Sequence, residues 1–120
     1  MHIYYFEKLD VWREARDLAV FVYNLSSKLP HSERYSLMDQ IRRAALSISS
    51  NIAEGSTRNS PYGSAIEVLN HTLLAREFGY IDDDDALSVR QRVNKITNQL
   101  QALNKIVQST KQRHENTIQQ

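Results

Sequence analysis

The sequence predicts an all-α fold, an antiparallel up-down four-helix bundle. Long segments carry apolar residues that recur at steps of three and four, which is the helical period. Only three Gly and two Pro occur in 120 residues, whereas sheet proteins need many turns. The segments are joined by short connections, which make neighbouring helices antiparallel. The length fits one domain, residues 1–120, around one core.

The first helix is predicted at about residues 10–28. Its apolar residues step 4-3-4-3-4, the spacing of a buried helical seam. Pro30 ends it, because proline cannot continue a helix and restricts the residue before it. The seam consists of Val11, Ala15, Leu18, Val22, Leu25 and Leu29. Trp12 widens this seam and is expected to pack in the core.

The second helix is predicted at about residues 33–54. Ser32 is the expected N-cap, with Glu33 in the first turn, and Gly55 is expected to adopt the left-handed conformation just past the end. The seam consists of Met38, Ile41, Ala45, Ile48 and Ile52.

The third helix is predicted at about residues 61–78. Pro61 suits the first helical position, and Ser64 with Glu67 fits a capping box. Gly79 ends the segment. The expected seam consists of Ile66, Leu69 and Leu73.

The fourth helix is predicted at about residues 86–107 or beyond, followed by a frayed polar tail to residue 120. The four acids at 82–85 precede it, and negative charge there complements the positive end of the helix dipole. The seam steps 4-3-4-3-4 through Val89, Val93, Ile96, Leu100, Leu103 and Val107.

The charge is unevenly distributed, although the net charge is only +1. Residues 1–85 carry nine basic and thirteen acidic groups, whereas residues 86–120 carry six basic groups and one acid. The spacing places four of the basic residues on the face of the last helix away from its seam: Arg90, Lys95, Lys105 and Arg113. This face predicts contact with nucleic-acid phosphates. The alternative is a solvated helix face with cations near the negative end of the dipole.

Three arginines on other segments are further candidates for nucleic-acid contact. Arg42 and Arg43 are adjacent, so they point about 100° apart and one of them approaches a neighbouring helix. Arg58 lies in the polar stretch before the third helix, where it could hold an anion near the helix start, or form part of a plain loop. Asn51 and Glu54 indicate either a structural network with an arginine, or a contact with another subunit or with RNA.

The sequence carries no sign of catalysis, metal binding or a cofactor. The absence of Cys excludes disulfides, thiolate zinc sites and Cys nucleophiles. The four histidines lie in separate regions without the Glu-x-x-His pairs of di-iron bundles. The amino-terminal residues lack the pattern of a signal peptide, which favours the cytoplasm. We therefore expect a protein that is not an enzyme.

Several blocks of the sequence resemble a known family. The densest are Gln40-Ile-Arg-Arg-Ala-Ala-Leu-Ser-Ile48 and Asn51-Ile-Ala-Glu-Gly55, with Asp10-Val-Trp12 before them and Gly63-Ser64 and Phe78-Gly-Tyr-Ile81 after them. Over about residues 6–107, the chain resembles the bacterial four-helix-bundle proteins encoded in intervening sequences of 23S ribosomal RNA genes. The stretch between Gly55 and Gly63 is about ten residues shorter than in those proteins, or about 15 Å of helix. This difference indicates either a short third helix or residues missing from the sequence.

The resemblance implies a non-enzymatic protein. Together with the basic segment at residues 86–120, it leads us to expect association with RNA. A group similar in fold, the accessory proteins of diversity-generating retroelements, forms pentameric rings and binds nucleic acid and a reverse transcriptase. By that similarity, we expect a ring-like homo-oligomer that binds RNA. The blocks also mark four residues with structural or interface roles: Trp12, Asn51, Glu54 and Gly55.

The alternative function is a protein-interaction scaffold that makes no contact with nucleic acid. Tyr4, Tyr5 and Phe6 precede the first helix. Aromatic residues of this kind anchor protein interfaces. They could equally cover the end of the bundle.

Overall fold

The prediction of four helices is confirmed by a computed structural model, which describes residues 1–55 and 59–119. Two short 3-10 helices, Tyr5–Lys8 and His31–Glu33, precede the first and second α-helices. The four α-helices are α1 (Asp10–Ser26), α2 (Leu37–Ala53), α3 (Asn59–Glu77) and α4 (Asp83–Gln119). The described residues contain no strand.

Each helix packs against the next one along the chain, and α4 closes the bundle against α1. Contacts between α1 and α4 run in opposite order along the two helices: Lys28 pairs with Asp85, and Glu14 pairs with Lys95. Near the start of α1, Val11 shares a groove with Leu103. The two helices are therefore antiparallel, as an up-down bundle requires.

The seams predicted for α1 and α2 form the core. All six residues of the α1 seam are buried, and so are four of the five in α2, while Met38 is half-buried against the core. In α4, the seam is buried from Val89 to Leu100, whereas Leu103 is half-buried and Val107 is 45% exposed. The bundle core therefore ends near Leu103 on this helix.

The buried face of α3 differs from the prediction. Ile66 is 44% exposed, and Leu69 is only half-buried. The buried line steps 4-3-4-3 through smaller residues: Pro61, Ala65, Val68, Thr72 and Ala75. Small side chains let α3 lie close to its neighbours, and this leaves the larger residues at the rim. Ser64 lies inside α3, where its hydroxyl accepts a hydrogen bond from Ser47 of α2 at 2.6 Å, so the predicted capping box is wrong.

The bounds of α3 lie close to the predicted range of 61–78. The helix has 19 residues, whereas α1 and α2 have 17 each. The helix begins at Asn59, two residues before Pro61. Proline is tolerated there because the first turn of a helix has no partner for its N–H groups.

The second helix begins at Leu37, not at residue 33, and Ser32 is not its N-cap. Glu33 lies in the preceding 3-10 helix, and its carboxylate accepts hydrogen bonds from the Ser36 hydroxyl at 2.6 Å and the Leu37 amide at 3.3 Å. It also accepts a bond from the Tyr80 hydroxyl at 3.2 Å. The Ser36 bond, followed by the Leu37 amide, lowers the pKa of Glu33. Glu33 therefore accepts a hydrogen bond from a backbone amide at the start of α2, although it lies outside that helix.

The acidic run before α4 works as predicted, but the helix begins earlier, at Asp83. Asp82 accepts a hydrogen bond from the Asp85 amide at 2.8 Å, and Asp85 accepts one from the Asp82 amide at 3.4 Å. This reciprocal pair is a capping box made of two aspartates. Lys28 contacts the Asp85 carboxylate at 2.9 Å, which ties the end of α1 to the start of α4.

The tail predicted to fray beyond residue 107 is helical instead, as far as Gln119. It has no Gly or Pro, and Gln112 donates a hydrogen bond to Asn116 one turn later at 3.2 Å. Every residue from 105 to 117 is exposed. We call the segment Lys105–Gln119 the α4 overhang; its 15 residues cover about 22 Å of helix axis past the end of the core near Leu103.

Candidate nucleic-acid interface

The cations of the α4 overhang have no carboxylate within ion-pair distance in the described part of the chain. They are Lys105, Lys111 and Arg113, and all three are exposed. Arg90 is likewise exposed and unpaired there. Positive charge that is not neutralised by the protein is available to a phosphate backbone. Lys111 was not on the face predicted from the sequence, but the overhang exposes all sides of the helix.

Lys95 does not belong to this set, although the sequence placed it on the outward face. Its ammonium lies 2.8 Å from the Glu14 carboxylate of α1. The hydrogen bond to Glu14, reinforced by the attraction between the charges, raises the pKa of Lys95. Next to it, the Arg92 guanidinium lies 4.6 Å from the centre of the Phe21 ring. These two cations join α4 to α1, so their first role is structural.

Arg42 and Arg43 of α2 are also held by protein groups. Arg42 donates a hydrogen bond to the buried Ser26 hydroxyl at 2.7 Å, and its guanidinium lies 4.0 Å from the centre of the Tyr23 ring. Arg43 pairs with Asp39 one turn earlier at 2.8 Å, with 77% of its side chain exposed. Arg42 is therefore the arginine that joins α2 to α1. Arg58 lies outside the described residues.

The residues predicted to have structural or interface roles divide into two groups. Gly55 adopts the left-handed conformation with φ of 89°, as predicted for the residue after a helix. Trp12 is half-buried rather than in the core, packed edge-on against Phe6 at 5.1 Å. Asn51 is half-buried and Glu54 is exposed, and neither side chain has a hydrogen bond to a described residue. The expected network of Asn51, Glu54 and an arginine is therefore not observed.

The amino-terminal aromatic residues line an apolar groove where the α4 overhang begins. Tyr4 and Tyr5 are 61% and 75% exposed, whereas Phe6 is half-buried against Trp12. The groove has a volume of about 350 Å³. Its other lining residues are Leu9, Ile52, Ala53, Gly55, Leu103 and Val107. Phe6 thus covers the end of the bundle, while the two tyrosines are available for contact.

The opposite end of α4 is acidic. Asp82–Asp85 lie there, and Arg76 approaches Asp83 at 3.8 Å. Among the described residues, no group of three or more His, Asp or Glu side chains converges as metal ligands would. The charge of α4 therefore changes from negative at its start to positive along its length.

The chain matches the family model of the 23S rRNA-intervening sequence protein over residues 7–102. This chain belongs to that family. The match ends one turn before the α4 overhang, so the cations of the overhang lie outside it. No curated protein matches the chain. Among the described residues, no helix is long and apolar enough to cross a membrane.

Proposed function

We propose that this member of the 23S rRNA-intervening sequence protein family binds RNA without catalysing a reaction. It would act in the cytoplasm as a ring-like homo-oligomer, with RNA bound through the unpaired cations of α4. The observation that carries the proposal is the distribution of paired and unpaired cations. Lys95, Arg43 and Arg76 are paired with carboxylates, whereas Arg90 and the three overhang cations are not.

The arrangement suits a ligand with many phosphates better than a small anion. The unpaired cations from Arg90 to Arg113 are spread over about 35 Å of helix axis, so they cannot converge on one small ligand. Each exposed contact is weak, but several copies in a ring would present several overhangs to one RNA. Binding then gains strength through effective concentration.

The test is a salt titration of a structured RNA with nuclease-treated protein, with the oligomeric mass measured by light scattering in the same buffers. We expect log affinity to fall linearly with log salt, because phosphate binding releases counterions. The K105E/K111E/R113E variant should lose most of this affinity. A matched variant, K8E/R16E/R34E, changes the net charge equally at exposed sites elsewhere and should retain more.

Two results would contradict the proposal. Absence of RNA binding even at low salt would show that RNA is not the ligand. Equal losses of affinity in the two triple variants would show that only net charge matters. A monomeric mass in every buffer would refute the ring.

A second candidate function is a protein-interaction scaffold, which the exposed Tyr4 and Tyr5 beside the apolar groove favour. Exposed aromatic residues next to an apolar groove are common anchors of protein interfaces. A pull-down with and without nuclease separates the two functions. A partner protein that survives nuclease and is lost with Y4A/Y5A would favour the scaffold.

A further inference from the structure

The exposed face of α4 carries a line of amide side chains. The six amides are Asn94, Asn98, Gln101, Gln108, Gln112 and Asn116, which we call the amide ridge. All six are exposed. Two exposed cations belong to the same line, Arg90 at its start and Lys105 in its middle. With 3.6 residues per turn, steps of three and four keep these eight side chains within an arc of about 80° along about 39 Å of helix.

The chemistry of the ridge indicates a ligand that both donates and accepts hydrogen bonds. Each amide side chain has donors on its nitrogen and an acceptor on its oxygen. Gln112 and Asn116 bond to each other, but the other four amides make no side-chain hydrogen bond within the described residues. Glu115 is the one carboxylate after Asp85. The ridge is therefore positive overall and has unused hydrogen-bonding capacity.

The surroundings of the ridge limit the shape of that ligand. Behind Asn94, Asn98 and Gln101, the opposite face of α4 is buried in the bundle at Val93, Ile96 and Leu100. This part of the helix can touch a ligand only with its outer face. The minor groove of DNA is only about 6 Å wide, which is too narrow for a helix about 10–12 Å across. The minor groove of duplex RNA is wide and shallow and displays 2′-hydroxyl groups, which donate and accept hydrogen bonds.

We propose that the amide ridge binds the minor groove of duplex RNA, with its amides on 2′-hydroxyl groups and with Arg90 and Lys105 on the flanking phosphates. This inference rests on the proposed function and specifies the class of RNA. It also makes recognition independent of base sequence, because every RNA nucleotide carries a 2′-hydroxyl.

The test compares binding of the full chain to an RNA duplex of about 18 base pairs and to a DNA duplex of the same sequence, at one salt concentration. We expect the RNA duplex to bind at least about tenfold more tightly, since one net hydrogen bond contributes about two- to tenfold and several amides act together. The variant N98A/Q101A/Q108A should reduce this preference to within about twofold. Alanine favours helix, so the variant is expected to fold, and its far-ultraviolet circular dichroism checks this.

A matched variant removes three exposed amides elsewhere, N24A/Q40A/N70A, and should keep the preference for RNA. Equal binding of RNA and DNA by the unaltered protein would overturn the inference, and so would an unchanged preference in N98A/Q101A/Q108A. In both cases, salt-dependent binding of RNA would leave the proposed function standing. Failure to bind either duplex or any structured RNA would overturn the proposed function as well.

Discussion

Removal of residues 108–120 should separate the stability of the bundle from its affinity for RNA. The apolar groove beside the overhang is lined no further than Val107, and every residue from 108 to 117 is exposed. Residues 108–117 therefore bury almost no surface against the bundle. At about 25 cal/mol per Å² of apolar surface, we expect the free energy of unfolding to change by less than about 0.5 kcal/mol.

The same truncation should weaken RNA binding, because it removes Lys111 and Arg113. Each phosphate contact contributes about 0.7–0.9 to the slope of log affinity against log salt, so the slope should fall in magnitude by about 1.4–1.8. Urea unfolding followed by circular dichroism gives the stability, and a salt titration gives the slope. A decrease of more than about 1 kcal/mol in the free energy of unfolding would refute the reasoning, because exposed residues of this kind contribute little to stability. An unchanged slope would exclude these two cations from the RNA contact.

Three further substitutions test the fold. Arg42→Met should lower the free energy of unfolding by about 1.5–3 kcal/mol in urea, through the lost hydrogen bond to Ser26 and the lost contact with the Tyr23 ring. The neighbouring control Arg43→Met breaks an exposed pair one turn apart and should cost only about 0.3–0.5 kcal/mol, so equal costs would contradict the assignment. Trp12→Ala should lower the free energy of unfolding by about 2–3 kcal/mol, which is less than for a fully buried tryptophan, because only part of this ring is covered. A decrease near 5 kcal/mol would place the ring in the core. Glu33→Gln should lower the free energy of unfolding at neutral pH but not in acid. Folding lowers the pKa of Glu33 from its ordinary value of 4.5, so the carboxylate adds stability above pH 4.5, and this stability is lost as the pH falls through the lower pKa of the folded state. A difference in stability between the variant and the unaltered protein that persists at pH 2 would refute the role of the charge.

The seams of α1, α2 and α4 could be predicted from the sequence because large apolar residues and helical spacing coincide there. In α1, this combination identified every buried seam residue. In α3, two adjacent lines share the same spacing, and size favoured Ile66 and Leu69 over Ala65 and Thr72. Which of these two lines is buried depends on packing, because small residues allow two helices to approach closely. The spacing of residues along one helix does not give the distance between helices.

The charge of the candidate site could be predicted from the sequence, but the ion pairs that its cations make could not. Composition located the basic segment of α4, and the overhang carries Lys105 and Arg113 as expected. The pairing of Lys95 with Glu14 depends on how α4 is rotated against α1, which one helix alone does not determine. The helical overhang was predicted as a frayed tail because its residues are polar, although nothing in them interrupts a helix.

Crosslinking would show directly whether α4 is the surface that contacts RNA, because it reports which part of the protein touches the RNA. Nuclease-treated protein is mixed with a structured RNA that carries photoreactive nucleotides, irradiated, digested and mapped by mass spectrometry. We expect the crosslinked peptides to come from α4, above all from residues 90–113, and to disappear in the K105E/K111E/R113E variant. Crosslinks confined to α1 and α2, or around Tyr4 and Tyr5, would contradict the claim that α4 is the RNA-binding surface.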